Sequence, residues 1–115
     1  MYRHRSHKLQ WCGLYFYPAH KPCYLFALVA GKLDFLQDEY ITSTGRKVDL
    51  RVYVEPHNMH KTAFAMESLI KAFEWDENRF NLSYDLDIYM IVAVDDFNMG
   101  AMENKGLSQL FFLLK

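Results

Sequence analysis

Glu103 stands in the run Gly100-Ala101-Met102-Glu103-Asn104, a carboxylate with small residues just ahead of it. A carboxylate in a partly desolvated pocket accepts a charge-assisted hydrogen bond from an ammonium group. That contact separates a free amine from an internal amide, which carries no charge. Gly100 and Ala101 add little side-chain bulk, so the backbone there can approach an extended peptide and take it up as an added strand. The plain alternative is a solvated surface glutamate at a strand end.

Other residues with chemical potential are less well arranged. Asp95 and Asp96 are adjacent, and neighbours on an extended chain point apart, so the pair reads as a loop start and not as acid/base machinery. His57 and His60 can approach each other at the start of a helix, but two histidines with no third ligand make no zinc site, and they read as surface residues. No catalytic residue and no metal ligand is assigned. Met59, Phe64, Met66 and Phe73 fall at helical spacing and read as helix core.

These groups must be positioned by the elements around them. Residues 1–20 have neither helical nor strand periodicity and read as an irregular lead-in. The unbroken apolar run Cys23 to Ala30 suits a strand buried on both faces, and Gly31 punctuates it. A more polar strand is expected from Leu33 to Thr42, then a turn at Ser43-Thr44-Gly45-Arg46. Val48, Leu50, Val52 and Val54 alternate with Lys47, Asp49, Arg51 and Tyr53, which predicts a strand with one core face and one wet face.

Pro56 ends that strand, and Asn58 can cap a helix whose stripe is Met59, Ala63, Met66, Ile70 and Phe73, widened by Ala65, Leu69 and Ala72. Glu67 and Lys71 form an exposed i,i+4 pair on its far side. A turn from Asp76 to Ser83 leads to Ile88–Val94, whose composition is that of a central strand, followed by the segment Asp95 to Leu107. The order of strands around one helix predicts an α+β fold.

Composition narrows the function. With 115 residues, 51% of them hydrophobic, the chain can fill a core, and its formal net charge of -1 with mixed signs offers no field for nucleic acid or an anionic membrane. No stretch approaches the ~20 apolar residues of a membrane span. Arg3, Arg5 and Lys8 ahead of Trp11–Tyr17 imitate a secretory signal, but the apolar part is short, aromatic and broken by Gly13, so that reading is set aside. Cys12 and Cys23 are the two cysteines, the second within an apolar run. A reduced cytoplasmic setting without a disulfide is expected.

The run Gly-Ala-Met-Glu-Asn, with Lys105 after it, resembles the exopeptidase signature of the M1 family of zinc aminopeptidases, bacterial aminopeptidase N type. Two flanking stretches, Lys21 to Gly31 and Tyr84 to Asp95, resemble the same family in order and spacing, so the resemblance covers about residues 21–107. It implies that Glu103 binds the substrate's α-amine, that backbone groups at Gly100, Ala101, Met102 and Asn104 orient the peptide, and that Met99 lines the pocket for the first side chain. It also implies peptide substrates with a free amino terminus. The implied architecture is an amino-terminal β domain ending over 21–31, joined to the mixed-sheet start of a thermolysin-like catalytic domain over 32–107, incomplete.

The family hydrolyses peptides with zinc held by His-Glu-x-x-His and a further Glu, and this motif is absent from the 115 residues. No zinc is therefore expected on this chain, and the isolated chain is expected to be inactive. Residues 108–115 depart from the family pattern and read as a divergent apolar tail, and a truncated or misassembled product is the expectation. The alternative function is a non-catalytic piece that binds peptides or docks to another protein.

Overall fold

Alternation of small branched residues with polar ones puts Val48, Leu50, Val52 and Val54 on one side of a strand, each at most 1% exposed. The structure is a computed structural model that describes residues 5–8, 29–95 and 100–111, with the backbone alone for 5–8 and 109–111. Its elements are β1 (Arg5–Lys8), β2 (Asp34–Ile41), β3 (Lys47–Val54), a 3-10 segment (Pro56–Lys61), α1 (Thr62–Phe80), β4 (Ile88–Val94), β5 (Ala101–Asn104) and β6 (Leu107–Phe111). They form one six-stranded mixed sheet in the order β1-β2-β3-β4-β6-β5. Strands β3, β4 and β6 run parallel, while β1, β2 and β5 run antiparallel to their neighbours. The expected α+β class holds, and β4 is central as its composition predicts.

The unit β3–α1–β4 is a crossover between parallel strands, which requires a helix on one face of the sheet. Met66, at 0% exposure, and Leu69 and Ile70, at 8% each, press that helix onto β2 and β3, where they meet Leu36, Tyr40, Leu50 and Val54. Phe73 extends the contact through edge and tilted packing on Tyr40, Tyr84 and Tyr89, with ring centroids 5.2–5.4 Å apart. The Glu67–Lys71 pair forms at 2.7 Å on the exposed side.

Several expectations need correcting. The second face of β3 is wet only in part: Lys47 is exposed and Asp49 and Arg51 are half-buried, but Tyr53 is 8% exposed and packs on Phe35 at 5.1 Å, and Met90 and Val92 join them in a second core. Asn58 does not cap α1. The chain leaves Pro56 in a 3-10 turn, α1 starts at Thr62 with no side-chain cap, and the Asn58 amide goes elsewhere. The helix also runs through the expected turn to Phe80, because nothing from Asp76 to Arg79 breaks it. It stops where Asn81 takes φ 52, a left-handed C-cap that asparagine tolerates. Phe64, expected in the core, is 71% exposed, and Ala63 and Ala72 are exposed too.

Two further corrections fall at the ends. Arg5–Lys8, within the expected irregular lead-in, pairs with β2 as strand β1. Ser108 to Phe111, read as part of an apolar tail, belong to β6, inserted between β4 and β5. The expected strand from Cys23 lies outside the described residues as far as residue 28.

Candidate functional site

The chain leaves β4 at Val94 and returns as β5 not beside β4 but one strand further out, with β6 between them. Among the described residues β5 therefore has a neighbour on one side only, and its other side presents unpaired backbone N–H and C=O groups. Gly100 enters this strand at φ 35, in the left-handed region, and a Cβ built there would meet nothing within 4 Å. The glycine is needed for its backbone angle and not for lack of space.

Lys105 and Gly106 turn β5 into β6, with Gly106 at φ 83. The turn is pinned three ways. The Gly106 carbonyl accepts from the Met90 N–H at 2.9 Å, Lys105 pairs with Asp85 at 2.9 Å, and Leu86 leaves little room beside Gly106, where an added Cβ would lie 3.4 Å from it. The hairpin is thus tied to the central strand at its turn as well as along its length.

Register decides which way the site residues face. Glu103 lies opposite Ser108, and Ser108 aligns with Ile91. Ser108 is 7% exposed and shares a hydrogen bond of 2.8 Å with Tyr89 on the face that carries α1. Glu103 and Ala101 consequently share the face on which α1 sits, while Met102 and Asn104 share the opposite one. The Glu103 side chain is exposed and makes no hydrogen bond or ion pair with a described residue. The nearby cation Lys105 is held by Asp85. Asn104 is half-buried, and its Nδ2 is buried without an acceptor among the described residues.

A carboxylate in this position can accept hydrogen bonds from an ammonium group carried by an extended chain that pairs with β5. The structure brings Gly100, Ala101, Met102, Glu103 and Asn104 together on one edge, while Met99 lies outside the described residues. Sequence reading missed Tyr89 and Ser108, which brace the strand opposite Glu103. Neither carries a local signal, since their contact exists only through the β4–β6 register. His57 and His60 do lie near one another, His60 Nδ1 being 3.0 Å from the His57 carbonyl, but the His57 ring is turned to Asp95, its Nε2 2.8 Å from that carboxylate. Among the described residues no three His, Cys, Asp or Glu side chains gather to hold a metal ion, so these residues do not fit a zinc site. Likewise, no helix among them is long and apolar enough to cross a membrane.

Comparison with known proteins gives consistent matches. The peptidase family M1 domain matches residues 64–112, a stretch that takes in most of α1 and all of β4, β5 and β6. Aminopeptidase N of Haemophilus influenzae is 67% identical over 91 residues, covering 79% of this chain and 10% of that protein. Aminopeptidase N of Escherichia coli K12 is 58% identical over 102 residues, covering 89% of this chain and 11% of that protein. The crystal structure of Legionella pneumophila aminopeptidase A in complex with aspartic acid superimposes with a TM-score of 0.71 at 43% identity, covering 78% of this chain and 11% of that one. The chain spans about a tenth of the length of the curated relatives it matches.

Proposed function

The chain belongs to peptidase family M1, in its bacterial aminopeptidase N type, and from that premise we propose that it carries the part of a zinc metallo-aminopeptidase that grips the substrate's free amino terminus. The observation that carries this reading is an exposed carboxylate, Glu103, without a partner among the described residues, on a strand that is paired, among those same residues, on one side only. An incoming peptide adds to β5 through backbone hydrogen bonds, which recognise any sequence. The Glu103 carboxylate then accepts hydrogen bonds from the α-ammonium, so only a chain that ends there is held in register. Gly100 sets the backbone direction at the entry to the strand, and Met99 lines the first side-chain pocket.

The cleavage step is not assigned to these residues. Zinc in this family supplies an activated water, but His-Glu-x-x-His is absent from the sequence and the described side chains do not replace it. In this reading the chain binds and does not cleave on its own, residues from Lys32 onward open the catalytic domain, and the setting is the cytoplasm. The same absence, next to a retained amine-binding segment, favours one alternative, a non-catalytic peptide-binding piece.

Calorimetric titration of the chain with an alanyl tripeptide, free or acetylated at its amino terminus, tests the reading. The free peptide is expected to bind more tightly, with the difference lost in Glu103→Ala. Equal affinity for both peptides in the unchanged chain would remove the anchor role.

A further inference from the structure

Parallel strands β3 and β4 end side by side, and the residues just beyond them, Glu55 to Asn58 and Asp95, form a polar cluster that the proposed function leaves unused. Both oxygens of Asp95 are engaged. Oδ2 lies 2.8 Å from His57 Nε2, and Oδ1 accepts from Asn58 Nδ2 at 3.1 Å. The Asp95 backbone N–H donates to Glu55 Oε1 at 3.3 Å. Asn58 is the firm point of the cluster: it is 3% exposed, and its own N–H is bonded to the Glu55 carbonyl at 2.9 Å. A buried amide has to be satisfied, and here it is satisfied by reaching across to β4's exit.

The same register places Asp95 and Gly100 on either side of β6 at one end of the sheet, because Val94 aligns with Phe111 and Ala101 with Leu110. Two strand spacings, about 10 Å, separate β4 from β5. Only four residues lie between Asp95 and Gly100. We infer that Asp95 is a positioning residue for the amine-binding strand: gripped by His57 and Asn58, it fixes the point from which the chain crosses to Gly100 and β5. This rests on the reading of β5 as the peptide-binding edge.

His57 is the adjustable part. When its Nε2 carries a proton, in the imidazolium or in the neutral Nε2–H tautomer, it donates to Asp95 and the grip is complete. When that nitrogen is bare it accepts from Asn58 Nδ2, 3.1 Å away, and Asp95 Oδ2 loses its donor. The titratable groups facing Asp95 among the described residues are His57, Glu55 and Lys61, all on the segment after β3. The hydrogen bond from His57, aided by Asn58 and by the charges of His57 and Lys61, holds the Asp95 carboxyl below its usual range.

The test is an NMR titration of the isotope-labelled full chain from pH 8 to 5, the span in which imidazoles gain charge. The amide resonances of Gly100 to Asn104 and the His57 ring are followed in the unchanged chain, His57→Gln and Asp95→Asn. The amides of Gly100 to Asn104 are expected to move with the His57 ring in the unchanged chain and to stay still in both variants. Amides that move equally in His57→Gln, or that keep their unchanged-chain positions in Asp95→Asn, overturn the inference. Urea unfolding of the same samples separates this local effect from a general loss of stability. Peptide affinity is a separate arm: if the unchanged chain binds no peptide, the amine-anchor reading fails, and the resonances still decide whether Asp95 positions the strand.

Discussion

Tyr89 Oη and Ser108 Oγ lie 2.8 Å apart, joining central strand β4 to β6 at the residue that faces Glu103. Ser108 is buried, so the bond is shielded from water and each hydroxyl depends on the other. Removing one hydroxyl leaves the other without its partner, a loss of about 1–3 kcal/mol. Ser108→Ala is therefore expected to lower the urea midpoint, with the largest amide shifts at Glu103 and Tyr89. Unchanged stability would mean that the pair contributes nothing to the brace.

Glu103→Ala is expected to leave stability nearly unchanged, because the side chain is exposed and bonded to no described residue. Its effect should fall on binding of free-amine peptides. A charge-assisted hydrogen bond is worth about 1.5–3 kcal/mol, roughly ten- to a hundredfold in affinity. The open setting of this carboxylate favours the lower end. Glu103→Gln keeps an acceptor without the charge and should retain part of the affinity, as measured by calorimetry.

Gly100→Ala tests the entry to the same strand by another route. Space is available for the methyl group, yet φ 35 disfavours any residue with a Cβ, by roughly 1–2 kcal/mol. The expected result is a loss of that size in unfolding free energy together with weaker peptide binding. A variant as stable as the unchanged chain would show that the entry angle relaxes freely.

Tyr40 gives a prediction at alkaline pH. Burial, together with its hydrogen bond to Glu77 at 2.9 Å, pushes the phenol up to about 12. In the unfolded chain it ionises near 10. Between these values the unfolded state has lost a proton that the folded state keeps, so stability falls as pH rises from about 10 to about 12. Subtracting the pH profile of Tyr40→Phe from that of the unchanged chain should isolate this fall; identical profiles would contradict it.

The isolated chain should not hydrolyse alanyl or leucyl reporter amides, with or without added zinc. His-Glu-x-x-His is absent, and without a lowered water pKa and a positioned base the amide barrier stays that of the solution reaction. Zinc-dependent turnover by material freed of host aminopeptidases would prove this wrong.

Much of this molecule is legible in its residues alone. The alternation of Val48 to Val54, the apolar run of Ile88 to Val94, the helical stripe through Met66 and Ile70, and the run Gly100 to Asn104 all declare themselves, because each depends on neighbours close in sequence. Local pattern could not say that β6 would slip between β4 and β5, since strand order is settled by long-range pairing. That insertion turned residues read as a tail into an inner strand, put β5 on the edge and set Glu103 on the helix-bearing face. The partner of Asn58 was hidden for the same reason: the side chain that takes its amide, Asp95, lies 37 residues away and comes within reach only when parallel strands β3 and β4 end together.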